Sequence, residues 1–240
     1  MELRTQIKKL SLWIFLIPFV AVNLCLFISV NYQIFDNTFL SVDMIGRSGP
    51  TFPYFDGGVS ISRTARTYPT YLIFKPAMIF TGIILIRYWN ANYKLIQNLD
   101  NVNNLKKHFR FYGIASAVFI ILHAIFLGIK FDIDIYKFFR RFILLSFIIF
   151  ELVAQTLLVI NLNRIKDNIE NLIKKKILKI KILLVSSLVV VAIASLPILG
   201  SSDYVNFKHA LEWNYLVGIL TFYLLNYFFW KPLPHTQKGV

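Results

Sequence analysis

Apolar residues fall into six long runs separated by short polar segments. The runs cover roughly 10–30, 70–89, 112–129, 142–162, 180–199 and 211–230, each close to the ~20 residues a helix needs to cross a bilayer. Backbone groups inside lipid must be satisfied internally, so such runs read as helices. The pattern predicts an all-α fold, a polytopic membrane bundle of six transmembrane helices in a single domain over residues 1–240. No tandem repeat, low-complexity tract or long linker divides it. The first run is longer than the roughly 7–15 apolar residues of a signal peptide, and no A-x-A pattern follows it. It reads as an uncleaved first span, with Pro18 as a kink site and Asn23 as its one strongly polar group.

The longest polar segment is the loop 31–69. Gly46, Gly49, Pro50, Pro53, Gly57 and Gly58 predict turns there. The SISRTAR stretch predicts the start of a short helix capped by Ser60 or Ser62.

Composition supports the membrane reading: 57% of residues are hydrophobic and only 16% charged. The formal net charge of +14 raises nucleic acid as a partner. The basic residues sit at the ends of apolar runs, however, where a topology signal would place them, so nucleic acid is rejected in favour of membrane lipids. An N-terminus inside leaves 17 of the 26 Lys and Arg on the inner side. Both termini are then cytoplasmic and loop 31–69 faces outside or the lumen, with Arg140 and Arg141 as the contrary votes. The membrane would be the inner membrane of a bacterium or the endomembrane system of a eukaryote. The basic block ending at Lys181 reads as an anchor to anionic headgroups on the inner face. Cys25 is the single cysteine, which excludes an intrachain disulfide and a cysteine-based metal site. No zinc, phosphate-loop or nucleophile-elbow motif appears, so neither a metal nor a cofactor is expected.

Apart from Arg87 and Lys181, counted with the inner side, four ionisable residues lie in or at the mouths of the runs: Lys75, His123, Glu151 and Glu212. A charge at a helix centre costs about 2.5–3.5 kcal/mol on insertion scales, so such residues usually face the bundle interior and pair. With a rise of 1.5 Å per residue, Lys75 falls about 8 Å and His123 about 9 Å below the outer face, with Glu151 about 14 Å down. The expectation is a polar pocket in the outer half, bridged by some of these four, with His123, Glu151 and Glu212 as candidate acid/base residues. Blander alternatives stand beside it. Lys75 can snorkel to headgroups, Glu212 can be merely interfacial, and His123 can bond between helices, with Ser116 on its face. Gln155 shares the face of Glu151. Trp89 and Trp230 fit an interfacial aromatic belt. Arg63 and Arg66, beside Ser60, Ser62 and Thr64, have the chemistry of a phosphate site, or of a solvated loop paired with Asp43 or Asp56.

The segments SISRTARTYPTYLIFKPAMI, YWNANY and ALEWNYLVGILTFYLLNYFFW resemble the DRAM/post-GPI-attachment lipid-remodelling superfamily, which includes the FGF-receptor-activating-protein-like membrane proteins. The layout is similar over nearly the whole chain, and in motif mainly over 54–93 and 209–230. The resemblance implies six spans, a long non-cytoplasmic first loop and a role in handling membrane lipids or lipid anchors, with catalysis left open. Ser60, Ser62, Pro69, Trp89, Asn90 and Glu212 fall on its motif positions. Asp56 and Gly57 of the FDGG segment, and the Lys75–Pro76 pair, depart from the pattern. Three readings follow: a remodelling factor binding a phosphate-bearing lipid, a non-catalytic lipid-binding scaffold, and, last, a small-molecule or proton-coupled transporter.

Overall fold

A computed structural model describes residues 2–99, 108–129, 134–201 and 203–231. Lys106, Lys107, Asp132 and the basic tail 232–240 lie outside the described residues. Seven helices carry the described chain: α1 (Glu2–Val30), α2 (Ile61–Ala65), α3 (Tyr71–Leu99), α4 (Phe109–Phe126), α5 (Asp134–Arg164), α6 (Lys175–Gly200) and α7 (Val205–Phe229). The protein is an all-α bundle. Several helices outrun the apolar runs that predicted them. Helix α3 continues to Leu99 and α5 starts at Asp134, because hydrogen bonding carries a helix past the end of its apolar stretch.

Five helices are long and apolar enough to cross a membrane: α1, α3, α4, α5 and α6. These mark an integral, multi-pass membrane protein. Helix α7 is as long but more polar, carrying Glu212, Asn214 and Asn226 among its apolar residues. The six long helices close into a ring: each packs on the next in the chain, and α7 packs on both α6 and α1.

The outer surface is apolar where a water-soluble bundle would be polar, and several polar groups are buried in the largely apolar core. Trp13, Phe27, Phe80, Leu183, Val190 and Ile193 point outward, while Ser116, Glu151, Gln155, Lys181 and Asn226 are buried inside. That arrangement suits a hydrocarbon solvent, in which polar groups must find partners within the protein. Trp89 and Trp230 are both buried, so neither forms part of an interfacial belt. Trp89 packs its ring directly on Gly113 of α4, where a side chain would collide with it. The interface needs that small residue for the helices to approach.

At the end distal to the chain termini, loop 31–60 folds over the bundle through short 3-10 turns at Tyr32–Phe35 and Met44–Gly46. Of the two candidate serines, Ser60 caps α2, accepting from Arg63 N at 3.2 Å. Pro69 is buried at the start of α3, after a cis bond from Tyr68. At the opposite end, the segment before α6 pairs with the end of α7 through an isolated bridge, Ile173 to Trp230.

Candidate functional site

The loop is strapped to α7 residue by residue. Asn214 donates to the Tyr54 carbonyl at 2.7 Å, and the Trp213 indole donates to the Val59 carbonyl at 2.8 Å. His209 Nδ1 lies 2.9 Å from the Gly57 carbonyl, so the bond selects the tautomer with a proton on Nδ1. Gly57 has a φ of +61°, and a side chain there would strike the Asn206 backbone, so only glycine fits this crossing. The Glu212 carboxylate faces the backbone N–H groups of Ile61 and Ser62 at the start of α2. Asp56 organises the preceding turn, accepting from Thr51 at 2.6 Å, Gly58 N at 2.8 Å and Phe52 N at 2.7 Å. These three bonds, that from Thr51 foremost, hold its carboxyl below the usual range. The Tyr54 hydroxyl reaches across to Asn23 of α1 at 2.9 Å.

This geometry redistributes the predicted phosphate site. Ser60 is occupied as a cap and lies 3.3 Å from Ser62 Oγ. The Glu212 carboxyl already occupies the backbone N–H groups at the start of α2. The cations gather elsewhere, around the end of α2 and the adjoining turns. Arg66 lies within electrostatic reach of Arg140 of α5 and of Arg63. Partial burial, then Arg140, then Arg63 hold the Arg66 guanidinium below its ordinary range. Arg140 in turn faces His123 of α4. Its Nε is buried with no hydrogen-bond partner, and its guanidinium lies 5.3 Å from the Tyr136 ring centroid. Lys75 Nζ donates to the Ile125 carbonyl at 3.4 Å, two residues beyond His123, and lies 5.7 Å from the Tyr71 ring. Among the described side chains, no carboxylate forms an ion pair with Arg63, Arg66, Lys75 or Arg140. Asp36, for comparison, is taken by Arg47 at 3.0 Å.

Glu151 is not part of that group. It is fully buried and joins four helices. Gln155 Nε2 donates to its Oε1 at 2.9 Å, the Tyr223 hydroxyl of α7 donates to the same oxygen, and Ser116 of α4 lies 2.6 Å from Oε2. Trp89 and Tyr88 of α3 complete the surroundings, their rings 5.0 Å apart and that of Tyr88 5.0 Å from Tyr223. The four ionisable candidates therefore do not bridge one pocket. Lys75 and His123 share the cationic end, Glu212 holds the loop, and Glu151 has a core of its own. Asn90 is a tie between helices: its side-chain oxygen accepts from Arg110 at 2.8 Å.

Two residues of consequence escape a reading of the sequence. Arg140 looks like a loop residue opposing the topology, yet it belongs to the cationic group. Lys181 closes a basic block suited to headgroups, yet it is fully buried. Its Nζ donates to Asn226 Oδ1 at 2.8 Å and lies 4.3 Å and 5.0 Å from the rings of Phe222 and Phe229. Asn226 passes the chain to Ser11 at 3.0 Å, and Ser11 donates to the Ile7 carbonyl at 2.7 Å. The available signal was spacing: Lys181 lies well inside a helix that already starts at Lys175.

No protein-family model, curated protein or solved structure matches the chain.

Proposed function

We propose that the protein handles membrane lipids or lipid anchors, holding the phosphate of a lipid headgroup at the cationic end of the bundle. Arg63, Arg66 and Arg140 would grip the phosphate oxygens, with Lys75 and His123 at the rim. One observation carries this reading: Arg66 lies within electrostatic reach of both Arg63 and Arg140, and no described carboxylate pairs with any of the three. Like charges repel, and the buried Arg140 Nε lacks a hydrogen-bond partner, which is unfavourable. A bound anion removes both penalties, and planar guanidinium forks match phosphate oxygens in pairs. The apolar outer surface brings lipid to the same end.

In this reading α7 is a sixth span, filling the ring between two helices apolar enough to cross on their own. The polar groups that lower its hydropathy are largely turned to the loop or the core. Both termini are then on the cytoplasmic side, and the arginines lie in the outer half of the membrane. The separate partners of His123, Glu151 and Glu212 favour lipid binding over an acid/base reaction. The resemblance to lipid-remodelling factors points to the same class of ligand.

The test is lipid analysis of cells lacking the gene. The expected result is an altered profile of phosphate-bearing lipids or lipid-anchored products. Wild type and a His123→Ala variant should restore it, whereas a folded Arg66→Ala/Arg140→Ala variant should not. An unaltered profile, or full rescue by the double variant, would overturn the proposal.

A further inference from the structure

The hydrogen bonds around Glu151 contain one proton fewer than the geometry uses, unless the carboxyl supplies it. Ser116 Oγ lies 2.6 Å from Glu151 Oε2 and 2.9 Å from the Gly113 carbonyl oxygen. Both neighbours are acceptors when Glu151 is ionised, and a hydroxyl has a single hydrogen. An ionised Glu151 can therefore satisfy only one of these contacts. A neutral Glu151 satisfies both: Oε2–H donates to Ser116 Oγ, and Ser116 donates to Gly113. The other oxygen already has the pattern of a carboxylic acid carbonyl, accepting from the Tyr223 hydroxyl and from Gln155 Nε2. All four contacts then close at once.

The surroundings agree with this count. The titratable groups facing Glu151 are Tyr88 of α3 and Tyr223 of α7; α4 contributes Ser116 and α5 contributes Gln155. Among the described residues, no cation interacts with it. A carboxylate fully buried among these groups would be a charge without a counter-ion, and such a group takes up a proton instead. We infer that Glu151 is a buried proton-binding site, held as the neutral acid and completed by Ser116, Tyr223 and Gln155. Losing that proton would oblige the Ser116 hydrogen to turn from Gly113 to Glu151. The state of this one site would thereby reach α4, α5 and α7 together. The inference does not depend on which lipid, if any, the cationic end holds.

Only four glutamates occur in the chain, at positions 2, 151, 170 and 212, so glutamate-selective 13C carboxyl labelling leaves a readable spectrum. The labelled full-length protein is reconstituted in bilayers at neutral pH and read by infrared and solid-state NMR spectroscopy. One glutamate should show the signature of a neutral acid. That signal should be absent in Glu151→Gln and displaced in Ser116→Ala. Glu151→Gln should also fold with an unchanged melting temperature, since its amide can donate toward Ser116 and accept from Tyr223 and Gln155. A spectrum of four ionised carboxylates would overturn the inference, as would a neutral-acid signal of undiminished intensity in Glu151→Gln. If Glu151→Gln does not fold, the Ser116→Ala arm decides: a neutral signal indifferent to Ser116 refutes the assignment.

Discussion

Asp56 shows how much organisation a single residue at the surface can impose. Its two oxygens collect one hydroxyl and two backbone N–H groups within a span of eight residues, 51–58. The folded carboxyl is more acidic than its ordinary value of 3.8, so the unfolded turn takes up the proton first. The stabilisation is complete above the ordinary carboxylate range and is lost as pH falls through the folded value. Hydrogen exchange at Phe52 and Gly58 should therefore stay slow at neutral pH and accelerate on acidification. In Asp56→Ala it should be fast throughout; equal protection in both proteins would mean that the carboxylate does not organise the turn. The sequence marks this turn by its Gly and Pro density, but not by its organiser. The three donors come from residues whose convergence depends on the backbone path.

Among the elements, the strap between residues 54–62 and the start of α7 connects two distant stretches that each looked distinctive by themselves. FDGGVSIS and EWNY are partners: His209, Trp213 and Asn214 take the carbonyls of Gly57, Val59 and Tyr54, while Glu212 faces the start of α2. Each run was legible from its apolar length, and the short helix from its capping serine. The pairing was not, because about 150 residues separate the two sides and a single sequence has no local signal for contact at that range. Trp213→Phe keeps the ring against Tyr54 but removes the indole N–H. Leaving the buried Val59 carbonyl unpaired should cost about 1–3 kcal/mol. Limited proteolysis within 47–60 should be faster in this variant while the transmembrane fragments stay intact. Unchanged cleavage would show that the strap is held by other contacts.

Across the whole molecule, the bundle separates three polar assignments that sequence depth alone merged. Depth along a helix is readable from residue count, but the direction in which a side chain faces depends on which helices are neighbours. Glu151 and His123 differ in that respect: the first turns to α7 and the second to Arg140. Lys181 is the same lesson at the other end, a basic residue drawn inward because Asn226 and two aromatic rings receive it. Run 211–230 was legible as a helix from its apolar length, but its seat between α6 and α1, which closes the ring, was not. What emerges is a membrane bundle with a loop hydrogen-bonded to α7 at one end, a group of arginines near it and a buried polar core around Glu151.

The claim that unites these parts is that the arginine group receives the phosphate of a lipid headgroup. Native mass spectrometry of the purified full-length protein, titrated with phosphatidic acid and with diacylglycerol of matched acyl chains, tests it directly. The account predicts retained phosphatidic acid, little retained diacylglycerol, and at least a ~10-fold weaker association in Arg66→Ala/Arg140→Ala, the scale expected from losing charge-assisted hydrogen bonds of about 1.5–3 kcal/mol each. Equal binding of the two lipids, or undiminished phosphatidic acid binding by a folded double variant, would contradict it.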